Sequence, residues 1–309
     1  MSIGYNHPLY LLPFDHRHSY VSAMFHFAPP LTTEQHNAVA DSKRLIYDGF
    51  KQAVGREVPL GSACILVDEE FGAEILRDAA RSGYMTALST ERSGSDEFEF
   101  EYGDAFASHI QAFEPTFAKA LVRYNPEADP DLNRRQTARL RLLSGYCRAH
   151  GQKFMFELLV PATQAQLDHG RVTETNYDQQ TRPTLVVQTI HELQDAGVEP
   201  DVWKVEGLDR LEDCERVVAA ARRDGRGEVG CIVLGRRADP DRVVGWLETA
   251  ASVRGFIGFA IGRTTFWDPV ADYVAKRATR EEAASRIARR FCAWAGIFEH
   301  ANASRSSAA

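Results

Sequence analysis

Short, almost continuously apolar segments alternate along this chain with longer amphipathic segments, and this alternation constrains the fold more than any other feature. Strands that are apolar at nearly every position are typical of parallel sheets covered on both faces. The pattern predicts eight strands, at Pro8–Phe14, Ala63–Asp68, Tyr84–Ser89, Lys119–Asn125, Lys153–Val160, Asp201–Glu206, Glu228–Leu234 and Gly255–Ile261.

Amphipathic helices are predicted between these strands, and two architectures fit such an order: a closed (β/α)8 barrel and an open doubly wound sheet. Neither a GxGxxG nor a Walker A loop follows the first strand. Because the open sheet thereby loses its main support, we favour a single (β/α)8 TIM barrel of the α/β class. The helices are expected at Glu34–Ala53, Gly72–Arg81, Ala105–Phe113, Asp131–His150, Thr184–Ala196, Arg210–Arg223, Asp239–Ser252 and Arg280–Phe298.

The chain has 309 residues, enough for one barrel of roughly 250 residues with extended loops. We expect the barrel to occupy residues 1–300 and the small, polar stretch 301–309 to be a disordered tail. The connection Pro161–Pro183, after the fifth strand, is predicted to be a long polar loop, and loops of that length are often functional lids on the catalytic face.

Composition argues against several classes of function. The net charge is -7 and no basic stripe alternates with aromatic residues, so nucleic acid is not an expected partner. No apolar run approaches the length of a membrane span, and Met1–Pro8 has no signal-peptide pattern, so neither membrane insertion nor secretion is expected. The five cysteines are dispersed and form no CxxC pair, which favours a reducing cytoplasm.

Position within the strands separates three lysines. In a barrel of this kind, polar residues at the C-terminal strand ends face the active site, whereas residues at strand starts lie at the opposite, stabilising end. Lys119 and Lys153 begin their predicted strands and are expected to be structural. Lys204 comes late in the sixth strand, where burial lowers the pKa of a lysine and yields an amine that attacks carbonyl groups. A structural lysine paired with Glu206 or Glu157 explains the same spacing equally well.

Glu157 is a charged residue within the otherwise apolar fifth strand, near its upper part. Because adjacent strands lie about 4.8 Å apart, we expect Glu157 to meet Lys204 across the barrel mouth. A carboxylate beside a Schiff-base lysine can transfer protons during imine formation and carbon–carbon cleavage. A simple buried ion pair is the alternative interpretation.

Polar residues also follow several other predicted strands. Taken singly, each is explained as a solvated loop charge, but their common position at one end of the barrel favours a binding site. These candidates are Asp15, His16 and Arg17 after strand one, Asp68–Glu70 after strand two, Glu91 and Arg92 after strand three, and Arg123 and Asn125 in strand four.

A phosphate site is predicted in the loops after strands seven and eight, where barrels frequently bind phosphate. These loops contain Gly235, Arg236 and Arg237, and Gly262 and Arg263. Glycine lets backbone N–H groups approach an anion, and arginine supplies a bidentate donor. No metal or cofactor is expected, since no histidine cluster with zinc-binding spacing stands at a strand end, although carboxylates such as Asp68 and Glu69 are suitable magnesium ligands.

Five segments, in order along nearly the whole chain, resemble one known family. They are FDHRHSY, ILVDEEFG, LVRYNPEAD, FMFELLVPAT and DVWKVEGLD. The family is the barrel domain fused behind inositol-pathway sugar kinases, known as 2-deoxy-5-keto-gluconate-6-phosphate aldolase and related to the tagatose-bisphosphate class I aldolases.

The resemblance implies a mechanism and a substrate. It makes Lys204 the Schiff-base residue, Glu157 the proton carrier and Asp15 a further catalytic residue, whereas His16 departs from the related Asp-Gln-Arg segment. The implied reaction cleaves 2-deoxy-5-keto-D-gluconate 6-phosphate to dihydroxyacetone phosphate and malonate semialdehyde in myo-inositol catabolism. Arg17, Arg92 and Arg123 are candidates to bind the carboxylate.

Two alternatives remain open at this point. The same lysine chemistry suits tagatose 1,6-bisphosphate or a sulfo-sugar phosphate, and a barrel can also bind a sugar phosphate as a sensor without turnover. In every case the expected partner is a phosphorylated keto-sugar, and the chain is expected to form a homo-oligomer.

Overall fold

A computed structural model describes residues 3–168, 173–236 and 238–308 of the chain. Within these residues, eight parallel strands pair in sequence order and β8 pairs with β1, so the predicted (β/α)8 barrel is confirmed. The strands are β1 Leu9–Pro13, β2 Ala63–Val67, β3 Met85–Ser89, β4 Phe117–Arg123, β5 Lys153–Leu159, β6 Val202–Glu206, β7 Gly230–Leu234 and β8 Phe256–Ala260.

Helices cover the outside of the barrel, and none of those described is long and apolar enough to cross a lipid bilayer. Two π-helical turns, Val21–Phe25 and Tyr177–Thr181, and two 3-10 turns, Leu60–Ser62 and Gly103–Ala105, accompany the α-helices. The α-helices are α1 His18–Tyr20, α2 Thr33–Val54, α3 Glu69–Arg81, α4 Phe106–Phe113, α5 Pro130–His150, α6 Gln164–Asp168, α7 Glu174–Asn176, α8 Arg182–Asp195, α9 Leu211–Ala221, α10 Pro240–Ala251, α11 Arg263–Val274 and α12 Arg280–Ala308.

Two stretches differ from the sequence analysis. The segment 301–308, expected to be disordered, continues helix α12, because Ala301 packs against the core and Arg305 donates to the carbonyl of Ala251 at 3.2 Å. The connection Pro161–Pro183, expected to be an irregular loop, contains α6, α7, the second π-helical turn and the start of α8. Its residues 169–172 lie outside the described part of the chain.

Alternate strand residues face the barrel interior, as the pleat of a strand requires. The lower interior is an apolar layer that includes Leu11, Leu66, Phe117, Met155 and Val202. A second, larger core lies between the strands and the surrounding helices. The residues two positions beyond the interior layer therefore also face inward, closer to the C-terminal end.

This alternation corrects the expectation for Lys119. The apolar pattern predicted a fourth strand that begins at Lys119, but β4 begins at Phe117, so Lys119 is its third residue and follows Phe117 onto the interior face. Its backbone pairs in register with Ser89 and Met155, and its side chain is fully buried. Lys119 therefore lies inside the barrel, not at the bottom. Lys153 does lie at the bottom, paired with Asp201 at 2.8 Å.

The contact between β8 and β1 closes the barrel and generates a first prediction. A Cβ on Gly258 would lie 1.8 Å from the carbonyl oxygen of Leu9, a backbone atom that cannot move without opening the sheet. We expect Gly258→Ala to lower the free energy of unfolding by more than about 2 kcal/mol, measured by chemical denaturation.

Gly145, in the middle of α5, is the matched control, because a Cβ there meets no atom within 4 Å. Gly145→Ala should raise the free energy of unfolding by about 0.5–1 kcal/mol, since alanine is the better helix former. Equal effects of the two substitutions would contradict the close approach at the β1–β8 seam.

Candidate active site

A cavity of about 320 Å³ opens at the C-terminal end of the barrel strands. This volume is typical of small-molecule sites. The C-terminal end of the strands is also the face on which barrel enzymes carry their active sites. The residues that line it include most of the candidates from the sequence: Asp15, His16, Arg17, Glu91, Arg92, Arg123, Glu157, Lys204, Gly235, Arg236, Gly262 and Arg263.

Three carboxylates converge on the buried ammonium of Lys119 beneath this cavity. Its Nζ lies 2.6 Å from Glu91, 2.8 Å from Asp15 and 2.9 Å from Glu157. Burial alone would lower the pKa of Lys119, but the three carboxylates raise it well above its ordinary value. Lys119 therefore favours its charged form and holds together side chains from β5 and from the loops after β1 and β3.

Lys204 and Glu157 form the pair that their spacing predicted. They are register partners on β6 and β5, and Nζ of Lys204 lies 2.7 Å from Oε1 of Glu157. Burial lowers the pKa of Lys204, and the ammonium of Lys119 lowers it further, although Glu157 opposes both. Unlike Lys119, Lys204 lines the cavity, so its amine meets whatever binds there.

The three carboxylates differ in their affinity for a proton. Burial alone would raise the pKa of Asp15 and of Glu157, but the lysine charges hold both below their ordinary values. Burial raises the pKa of Glu91, even though Lys119 opposes this. Three carboxylates thus face two ammonium groups, and Glu91 is the carboxyl on which an extra proton is held most easily.

The arginines at the cavity rim differ in availability. Arg17 is buried, donates to Glu101 at 2.6 Å and to the carbonyl of Glu91 at 2.5 Å, and thereby fixes the loop after β3. Arg92 and Arg123 are more accessible, with 62% and 41% of their side chains exposed. Of these three, Arg92 and Arg123 are the better placed to meet an anionic group at the rim.

Asn125 lies away from the cavity, contrary to its expected role in substrate binding. It is buried and donates to the carbonyl of Pro161 at 2.8 Å and to Gln166 at 2.9 Å. A side chain amide that joins two backbone segments in this way stabilises loops. Asn125 therefore fixes the connection after β5 to the end of β4.

The Gly235–Arg236 loop is held by Glu206, considered above as a partner of Lys204, and by Asp178, which no pattern in the sequence indicated. Arg236 lies 2.6 Å from Asp178 and 3.0 Å from Glu206, and Asp178 also accepts from Arg182 at 3.1 Å. The segment Pro161–Pro183 thus docks on the end of β6 and on the loop after β7 through these ion pairs. Neither the periodicity of apolar residues nor the spacing of charged ones predicts these ion pairs, because their partners lie in loops that are distant in sequence.

The loop after β8 has a different construction. Gly262 is required by packing, since a Cβ there would lie 2.3 Å from the carbonyl oxygen of Pro13. It is the N-cap of α11, and the first residues of that helix, Arg263 and Thr264, line the cavity. A helix N-terminus attracts anions, so this side suits a phosphate. Arg237 lies outside the described residues.

The magnesium ligands considered from the sequence are engaged elsewhere. Asp68 forms a buried ion pair with Lys43 and caps α3, accepting from the N–H of Phe71 at 2.9 Å. Glu69 lies 2.8 Å from His109. Among the described residues, no group of three or more His, Cys, Asp and Glu side chains is arranged to bind a metal ion.

Fold and site together define an α/β barrel with a lysine–carboxylate cluster at the C-terminal end of its strands. Residues 5–302 match one family model, and the chain belongs to that family, described as an uncharacterized protein conserved in bacteria (DUF2090). No curated protein is detectably similar in sequence.

Solved structures share the fold at low sequence identity. Cgl0159 from Corynebacterium glutamicum is 18% identical, with a TM-score of 0.54 over 94% of this chain and 87% of that one. A fructose-bisphosphate aldolase from Slackia heliotrinireducens is 12% identical, with a TM-score of 0.54 over 91% and 85%. The YdjI aldolase from Escherichia coli K12 is 11% identical, with a TM-score of 0.54 over 95% and 92%. At such identities the likeness establishes the barrel fold.

The charge cluster around Lys119 generates a stability prediction. Lys119→Met leaves three buried carboxylates short of a partner, and we expect a loss of about 3–5 kcal/mol in the free energy of unfolding at pH 7.5. In the wild type the pKa values of Asp15 and Glu157 are lowered, so the stability they contribute is lost only as pH falls below their unfolded pKa of about 4. In the variant, burial without the charge of Lys119 raises both pKa values, so these carboxyls take up protons as pH falls from 7.5 and the cost of burying their charge is relieved. The difference between variant and wild type should therefore shrink by pH 4.5.

Chemical denaturation at the two pH values measures both effects. Lys276→Met is the matched control, because Lys276 is exposed, and it should change stability by less than about 0.5 kcal/mol. A loss for Lys119→Met that is small, or is the same at both pH values, would contradict the role given to the cluster.

Proposed function

We propose that this protein is a class I aldolase that forms a Schiff base between Lys204 and a phosphorylated keto-sugar. The observation that carries the proposal is the pair of buried lysines with a shared carboxylate. Glu157 lies 2.7 Å from Lys204 and 2.9 Å from Lys119, on opposite oxygens. The similarity of fold to two aldolases agrees with this proposal.

The surroundings of the two lysines assign them different roles. A Schiff base requires an unprotonated amine with access to substrate. Lys119 has a raised pKa and is fully buried, so it keeps its proton. Lys204 has a lowered pKa and lines the cavity, so it is the nucleophile.

Imine formation follows from this arrangement. Lys204 passes a proton to Glu157, and its amine adds to the substrate ketone to give a carbinolamine. Glu157 returns the proton to the departing hydroxyl, which leaves as water, and the protonated imine remains. Because the cluster contains one more carboxylate than ammonium group, it stabilises the positive charge on that imine.

Cleavage uses the imine as the acceptor of an electron pair. Glu157 or Asp15 removes the proton from the hydroxyl one carbon beyond the breaking bond, and the carbon–carbon bond breaks to release an aldehyde. The electron pair enters the imine and gives an enamine. Protonation at carbon, followed by hydrolysis, releases the ketone product and restores the amine of Lys204.

The substrate proposal combines the cavity with the family resemblance. Arg263 and Thr264 at the start of α11, with the backbone at Gly235 and Gly262, are proposed to bind the phosphate. Arg236 contributes positive charge from its place between Asp178 and Glu206. The proposed substrate is 2-deoxy-5-keto-D-gluconate 6-phosphate, which gives dihydroxyacetone phosphate and malonate semialdehyde.

Arg92 and Arg123 are proposed to bind the carboxylate of this substrate, since both line the accessible rim of the cavity. Assays with tagatose 1,6-bisphosphate and a sulfo-sugar phosphate compare the alternative substrates directly. We expect the deoxy-keto-gluconate phosphate to give the highest kcat/KM. In an Arg123→Met variant, kcat/KM should fall by a larger factor for this substrate than for the other two.

Trapping with borohydride tests the central step. Incubation with dihydroxyacetone phosphate and sodium borohydride should add the reduced ligand to the peptide that contains Lys204, as read by mass spectrometry. Lys204→Met should lose the adduct and at least 10³-fold of the aldolase rate. Lys276→Met, at an exposed lysine, should change neither.

Two results would contradict the assignment: an adduct on Lys119 in place of Lys204, or no adduct on any lysine of the wild-type protein. Binding of the sugar phosphate without an adduct or turnover would indicate a non-catalytic sensor.

The electrostatics of Lys204 generate a prediction about pH. Imine formation requires the free amine, so its rate rises with pH through the pKa of Lys204. Glu157 raises that pKa against burial and Lys119, so Glu157→Gln should move the rising limb of the profile to lower pH. The same substitution removes the proton carrier and should lower the maximal rate by about 10²–10⁴-fold.

The rate of borohydride trapping between pH 5 and 10 measures the shift, and Glu281→Gln on the exposed surface of α12 is the control. A rising limb that moves to higher pH in Glu157→Gln would contradict the assigned electrostatics.

A further inference from the structure

His16 is a polar residue of the cavity that the proposed reaction does not use. It follows Asp15 directly after β1, and its ring lines the cavity, edge-on to Phe266 with ring centroids 6.2 Å apart. Its Nδ1 is buried and forms no hydrogen bond with any residue that the structure describes. Buried polar atoms without partners are rare in folded proteins, and in a binding cavity they point to a ligand.

The charge state of His16 sets it apart from its neighbours. Burial lowers the pKa of the imidazole to about 3; the charge of Asp15 opposes this, and the charges of Arg263 and Lys204 reinforce it. The ring is therefore uncharged at neutral pH, whereas Asp15, Glu157 and Lys204 belong to the ionised cluster. An uncharged imidazole has one nitrogen that donates and one that accepts.

The groups of a keto-sugar phosphate differ in what they require from such a ring. A phosphate or carboxylate accepts only and is bound better by arginine, and the ketone is taken by Lys204. A hydroxyl both donates and accepts, so it satisfies the imidazole in either tautomer.

We propose that His16 binds a hydroxyl of the substrate, on the carbon next to the imine, and so selects hydroxylated ketones over their deoxy analogues. Its neighbours place that hydroxyl near the reacting amine: His16 lines the same cavity as Lys204, and the charges of Asp15, Arg263 and Lys204 all act on its ring. This inference rests on the proposed aldolase function and adds a specificity determinant to it.

Dihydroxyacetone phosphate and hydroxyacetone phosphate form the test pair, because the second carries a methyl group where the first carries the free hydroxymethyl group. Borohydride trapping at a series of concentrations gives the apparent affinity for each ligand. We expect the wild type to favour dihydroxyacetone phosphate by about tenfold or more, the equivalent of one hydrogen bond in a cavity.

His16→Phe keeps an aromatic ring of similar size without polar atoms, and it should bring the two affinities within about twofold while imine formation continues. His16→Gln keeps an uncharged donor and acceptor and should retain part of the preference. A wild-type preference that persists in His16→Phe would overturn the role of His16 alone. Absence of imine with both ligands in the wild type would overturn the proposed aldolase and this inference with it.

A second measurement reads binding in the wild-type protein and uses a variant only to assign the resonance. In wild-type protein labelled with ¹⁵N-histidine, the His16 resonance, identified by its absence in His16→Gln, should shift on saturation with dihydroxyacetone phosphate and stay unprotonated from pH 5 to 8. A resonance that responds equally to hydroxyacetone phosphate would overturn recognition of the hydroxyl.

Discussion

The ammonium of Lys119 is the interaction on which the rest of the site depends. A buried charge is costly unless it is fully paired, and this one is paired with Asp15, Glu91 and Glu157 within 2.9 Å. Those carboxylates come from three different strands or their loops, so one nitrogen fixes the relative positions of side chains beneath the cavity. The apolar layer below, which includes Phe117 and Met155, excludes water from beneath the cluster.

The chemistry follows from an unequal sharing of charge. Because Lys119 takes three carboxylates, Lys204 is left with Glu157, a partner whose other oxygen is already committed. Burial lowers the pKa of Lys204 and the charge of Lys119 lowers it further, while the shared Glu157 opposes both. The surplus of carboxylate over ammonium favours the cationic imine that such an amine would form. His16 adds an uncharged contact to this ionised surface, which lets one site separate the hydroxyl, carbonyl and phosphate groups of a ligand.

The barrel could be predicted from the sequence because parallel strands buried on both faces leave an unmistakable apolar pattern. The Lys204–Glu157 pair could be predicted too, since both residues interrupt such strands at the same height. Lys119 was placed wrongly because the predicted strand began two residues late, which put a central charge at the bottom of the barrel. The alternation of Phe117, Lys119 and Leu121 could have indicated that Lys119 faces the interior. The contacts of Arg236 with Asp178 and Glu206 join loops that are distant in sequence, and the uncharged state of His16 depends on burial. Such features are set by tertiary structure and leave no local pattern.

The division of labour between the two lysines is tested most directly by competitive amine labelling across pH, with each lysine quantified by mass spectrometry. We expect Lys204 to be modified with a midpoint pH below that of the exposed Lys276 in the same sample, and Lys119 to stay unmodified in the folded protein. A midpoint for Lys204 equal to or above that of Lys276, or modification of Lys119 ahead of Lys204, would contradict this division of labour.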